Sequence, residues 1–129
     1  MAVAHATNIR NAMADLVVDL VDVGTTNAGG ALVLLEGTFE IARIQFGDPA
    51  FGDAASGEAS ANGLPLSTTA SASTTGGVDI LKIVDRSGAE VLTGSVTTTS
   101  GGGDLEMDNT DVNSGQTVEL DQMTYVSAP

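Results

Sequence analysis

From Ile9 to Val23 apolar side chains return at helical spacing: Ile9, Ala12, Met13, Leu16, Val17 and Leu20 form one stripe, while Arg10, Asn11, Asp15, Asp19 and Asp22 lie mostly off it. The spacing predicts an amphipathic helix from about Asn8 to Val23 with that stripe, Met13 included, turned to the core. Thr7 or Asn8 is placed to cap the first-turn amides, and Gly24 suits the position beyond the last turn.

After Gly24 the period shortens. ALVLLEG and TFEIARIQF read as neighbouring strands, the second with Ala42, Ile44 and Phe46 on one face and Ile41, Arg43 and Gln45 on the other. Asp48-Pro49 ends that strand, because proline has no amide to donate and keeps the preceding residue out of the helical region. Phe46 and Phe51 flank the corner and are expected to fold onto one core. SGEASANGLPL reads as a strand of small side chains, and LSTTASASTTGG as a mobile loop with too little apolar area to offset its ordering entropy. In VDILKIVDR, Val78, Ile80, Lys82 and Val84 share one side and Leu81 and Ile83 the other; the turn SG joins it to AEVLTGSVTTT in the clearest hairpin of the chain. A short acidic strand within DLEMDNTDV and a last strand, QTVELDQMTYVSA, follow.

One helix and about seven short strands, with turn signals about every eight to twelve residues, predict a mainly β protein: a β-sandwich or partly closed barrel, jelly-roll or Greek-key in type, with one N-terminal amphipathic α-helix. Residues 1–7 are expected to form a flexible arm and residues 8–129 a single domain.

Charge narrows the partners. Four Lys and Arg stand against 17 Asp and Glu, a formal net charge of −13, so binding to nucleic acid or to an anionic membrane is disfavoured and a protein partner is expected. There is no cysteine, hence no disulfide, thiolate nucleophile or Cys-type zinc site. The most apolar stretch, LVVDLVDV, is interrupted by Asp19 and Asp22, so neither a secretion signal nor a membrane span is expected. With 3% aromatic residues and many small ones, the core is expected to be thin and built of Val, Leu and Ile.

Little in the chain is suited to catalysis. A nucleophile needs a base beside it, and the one histidine, His5, lies in the arm. GGVDI and GGG lack the lysine of a phosphate-binding loop and read as turns. Asp48 and Asp53 beside the phenylalanine corner are better suited to capping turn amides than to acid–base work. Asp104, Glu106, Asp108 and Asp111, with Asn109 and Asn113, are weak candidates for a calcium site; their spacing departs from an EF-hand loop, and a solvated acidic strand without metal is the expectation. Arg43, Lys82 and Arg86 are expected to find carboxylates within the fold or between subunits. No catalytic residue and no cofactor is predicted.

The ordered motifs NIRNAMADLVVDLVDVG, FGDPAFGDAASGEASANG, VDILKIVDRSGAEVLTGSV and SGQTVELDQMTYVSAP, spanning nearly the whole chain, resemble the head decoration, or capsid cement, proteins of tailed bacteriophages. The resemblance implies a non-enzymatic virion protein on the outer surface of the capsid, bound to the major capsid protein, commonly as a homotrimer, and stabilising the shell against internal pressure. Many weak contacts multiplied by symmetry suit such a part. In that setting the uncharged segment Ala2, Val3, Ala4, His5 and Ala6 is a candidate arm that adds a strand to the shell, and Met107, Met123 and Tyr125 are candidate contact residues. Two competing readings are a head-fibre, collar or tail-associated β-domain, separable by copy number per virion, and a calcium-dependent adhesion or carbohydrate-binding module on the acidic 104–113 segment.

Overall fold

The computed structural model describes residues 3–127. The chain is mainly β, a curled five-stranded mixed sheet forming a half-barrel, with one N-terminal helix. Helix α1 (Thr7–Asp19) runs on into one 3-10 turn, Leu20–Asp22. Among the described residues nine strands follow: β1 (Ala31–Glu36), β2 (Phe39–Gln45), β3 (Glu58–Ser60), β4 (Leu66–Thr69), β5 (Ile80–Val84), β6 (Glu90–Thr98), β7 (Leu105–Met107), β8 (Thr117–Leu120) and β9 (Thr124–Val126).

The large sheet has the order β2-β1-β5-β6-β7, and two ribbons, β3-β9 and β4-β8, complete the molecule. All pairs are antiparallel except β6 with β7. Strand β1 lies inside the sheet and is buried on both faces, as its unbroken apolar run requires. Leu32 and Leu34 enter the main core, while Ala31, Val33 and Leu35 join Val84 in a smaller cluster on the other face. The register sets Val33 opposite both Arg43 and Lys82, so the aliphatic stems of two charged residues flank a fully buried valine. The Arg43 head group then reaches Glu40 at 2.8 Å.

Between β1 and β2 the register slips: Leu34 faces Ala42 and Leu35 faces Glu40, leaving Ile41 as an extra residue. Ile41, expected beside Arg43 and Gln45, is thereby turned into the main core with Ala42, Ile44 and Phe46. Phe46 and Phe51 pack at 5.5 Å between ring centroids, inclined at 51°, across the Asp48-Pro49 corner, whose peptide bond is cis. Asp48 pairs with Arg86 at 3.1 Å rather than capping the turn, and the Ala50 amide donates instead to Asp22 of the 3-10 turn, at 2.8 Å.

The β5–β6 hairpin forms as the pattern predicts, with the Asp85 carboxylate accepting from the amides of Ser87 and Ala89 in its turn. Val78, expected on the side of Ile80, lies ahead of β5 and packs into the main core.

Three further expectations are corrected. LSTTASASTTGG is not free: its first four residues are β4, Ala70 is buried, and Ser71 and Thr74 donate backbone bonds to Ile41 and Val112. The Glu36 carboxylate then accepts from the Thr75 hydroxyl and from the amides of Thr75 and Gly76, anchoring the rest of the segment. Backbone bonding thus supplies the order that apolar area does not. The C-terminal run is two strands, because β8 pairs with β4 and β9 with β3 on separate ribbons. The helix begins at Thr7 with Ala6 in the cap position and no side-chain cap, so Thr7 and Asn8 lie inside the first turn.

Candidate functional site

The helix is seated by its polar side. Asn11 Oδ1 accepts from the Gly57 amide at 2.7 Å, Asp15 Oδ1 from the Ala54 amide at 2.8 Å, and Arg10 Nη2 donates to the Ser56 carbonyl at 3.2 Å. Segment 50–57, whose one large apolar side chain is Phe51, runs past the helix, and three of its backbone amides take their acceptors from Asn11, Asp15 and Asp22. Burial raises the Asp22 carboxyl above the ordinary carboxylate range, against the lowering effect of its bond from Ala50. Gly57 is confined there: its φ is +77°, and a Cβ would stand 2.6 Å from Arg10 Nη2.

This seating reverses the predicted face of the helix. Ala14, Val18 and Val21 are the buried apolar residues, at i, i+4 and i+7. Of the expected core stripe, Leu16 is 67% exposed, and Ile9 and Leu20 are each 46% exposed; Val23 beyond them is 52% exposed. Only Met13 and Val17 are half-buried. The molecule therefore carries a helix-long apolar stripe facing solvent, the kind of surface that marks a protein contact.

A second feature lies where the half-barrel stays open. Strands β7 and β8 stand across a cavity of about 780 Å³, floored by Leu32, Leu34 and Ile44. Glu119 and Asp121, close together on the β8 side, are hydrogen-bonded, and that contact with their mutual repulsion raises the Glu119 carboxyl above its usual range.

Of the sequence-derived contact residues, Ala2 lies outside the described residues; Val3, Ala4, His5 and Ala6 are exposed ahead of the helix. Met107 and Met123 line the opening between β7 and β8, and all three of Met107, Met123 and Tyr125 pack half-buried against the main core. Tyr125 lines a different cavity, of about 450 Å³, beneath Val17, Val18 and Val21. The arm and these side chains do not form one patch.

The weak metal candidates disperse. Asp104 accepts from Ser95, Glu106 from the Gly102 amide and Asp108 from the Thr99 hydroxyl, all three bracing the β6–β7 connection. Among the described residues, no three His, Asp or Glu side chains converge as metal ligands. No helix of the described residues is long and apolar enough to cross a membrane.

Reading the sequence missed both the outward stripe and the carboxylates Glu119 and Asp121. A signal for the first was present: Ala14, Val18 and Val21 form a rival helical stripe beside the polar Asn11 and Asp15. Comparison with known proteins found no family model, no curated protein and no solved structure that matches the chain.

Proposed function

We propose that this chain is a structural virion protein that binds the outside of a tailed-phage capsid and stabilises it, acting as a trimer on the major capsid protein. Support comes from the four motifs that resemble head decoration proteins and from a β-rich body whose carboxylates are engaged in holding turns and loops. The observation that carries the reading is the solvent-facing stripe of α1. Ile9, Leu16 and Leu20 are large, apolar and exposed in a chain of net charge −13, and a stripe of this kind becomes stable when a partner covers it. Many copies on a symmetric shell convert a modest contact of this size into durable attachment.

The test is attachment of purified protein to heads that lack it, followed by sedimentation. Leu16→Asp combined with Leu20→Asp leaves the folded body intact, as far-UV circular dichroism will report, because neither side chain is buried. The expected result is loss of at least tenfold in head binding, the cost of a charge set in an apolar contact. Undiminished attachment by the double variant would falsify the stripe as the shell-binding surface.

A further inference from the structure

We infer that the seam between β7 and β8 receives an extended segment of another protein, apolar and basic side chains alternating along it, as an added strand. The recognition does not depend on the virion role, since the chemistry of the seam is the same whatever protein supplies the segment.

Within the sheets, β7 has a neighbour on one side only, β6, and β8 likewise only β4. A cavity lying against the face of a strand meets every second residue, because side chains alternate between faces. This cavity meets them all: residues 103–109 on one wall and 116–124 on the other line it without a gap. It therefore runs along strand edges, where backbone amides and carbonyls lack a ladder partner. An incoming strand of about five to seven residues, at ~3.3 Å per residue, spans walls of this length.

The floor and the rim specify the side chains. Half-buried Leu105, Met107 and Met123 supply the apolar surface of the seam, above the buried Leu32, Leu34 and Ile44, so the inward-facing, alternate residues of the segment rest on apolar side chains. The rim carries Asp104, Glu106, Asp108, Glu119 and Asp121 and no Lys, Arg or His. The hydrogen bond to Asp121 and the repulsion between the two already raise the Glu119 carboxyl, and a cation beside the pair relieves the repulsion. The alternate, outward residues of the segment are therefore Lys or Arg.

A second copy of the chain does not fit that description. Its four basic residues are Arg10 on α1, Arg43 on β2, Lys82 on β5 and Arg86 in the β5–β6 turn, all in elements that are already engaged. The occupant comes from a different protein.

The probe is a synthetic peptide of alternating valine and lysine, acetylated, amidated and carrying a fluorophore, titrated with the full chain and read by anisotropy. Its block isomer, valines then lysines, keeps composition and charge but loses the alternation. Two further versions carry backbone N-methyl groups on the valines or on the lysines, each removing the hydrogen bonds of one peptide edge. The alternating peptide is expected to bind at least tenfold more tightly than the block isomer, and each N-methylated version to lose at least tenfold. Glu119→Gln with Asp121→Asn, both exposed positions, is expected to weaken binding and flatten its salt dependence. Amide shifts on binding are expected within 103–109 and 116–124. The inference is overturned by absence of binding, by equal affinity for the block isomer, by indifference to N-methylation, or by a free protein already paired with itself through this seam.

Discussion

Glu36 shows how much one side chain can organise. It closes β1, is half-buried, and gathers the hydroxyl of Thr75 with the amides of Thr75 and Gly76 from a segment nearly forty residues away. The bonds from Thr75 and Gly76 stabilise the charged form and hold this carboxyl below its ordinary 4.5. A carboxyl lowered in the folded state contributes stability above its unfolded value, and that contribution is lost as pH falls through the folded one. Glu36→Gln is thus expected to be less stable than the parent near neutral pH, with the gap closing as pH falls below about 4.5. Urea denaturation of both proteins at several pH values checks this, and a gap that is constant with pH would contradict it. Asp22, raised by burial, titrates in the opposite sense, which is why the comparison uses the difference between two chains and not the parent alone.

At the scale of the element, α1 inverts the usual division of labour in an amphipathic helix. Its bulkiest exposed apolar residues, Ile9, Leu16 and Leu20, face water, while Asn11 and Asp15 join the smaller buried Ala14 and Val18 in attaching it to the body. Asn11→Ala or Asp15→Ala, each leaving a backbone amide without its acceptor, is expected to cost about 1–2 kcal/mol. Leu16→Ala, in contrast, is expected to change stability by less than about 0.5 kcal/mol, since leucine and alanine are both good helix formers and the side chain is exposed. Denaturant midpoints of the three variants decide the matter; a larger loss at Leu16 than at Asp15 would place the core on the other face. The extent of the helix was legible in the chain because Gly24 and the 3.6-residue period mark it. Its orientation was not, because hydrophobicity alone cannot say that segment 50–57 will present bare amides to it. The strands tell the same story: β1, β2 and the β5–β6 hairpin followed from alternation and turn residues, whereas β4 was concealed by LSTT, whose order depends on β8 about fifty residues further on. The bulge at Ile41 was equally hidden, being a property of the pair of strands and not of either one. Of the contact residues singled out by type, Met107 and Met123 fell on the seam, but nothing in their own neighbourhoods could indicate that two edges would be left facing each other.

Taken as a whole, the molecule is a polyanion with few internal charge pairs, notably Arg43 with Glu40 and Arg86 with Asp48, both at the surface. Surface pairs of this kind contribute about 0–1 kcal/mol each, so net repulsion among the remaining carboxylates dominates the electrostatics of folding. Raising sodium chloride from about 0.02 M to about 0.5 M is therefore expected to raise the thermal midpoint, with most of the gain at the low end as the Debye length contracts. A midpoint that falls with salt would mean that the ion pairs outweigh the repulsion. The same repulsion opposes contact between copies, so any such contact must be carried by apolar surface or strand pairing.

The split of the C-terminal run into β8 and β9 also bears on biosynthesis. β3 and β4 find their ladder partners only in residues 117–126, and Ser127 donates its amide back to Gly57 beside the helix. While a ribosome is still translating that stretch, the hairpins of the large sheet can pair, but both ribbons wait half-made. The nascent protein is left with β3 and β4 short of their ladder partners until residues 117–126 have cleared the exit tunnel.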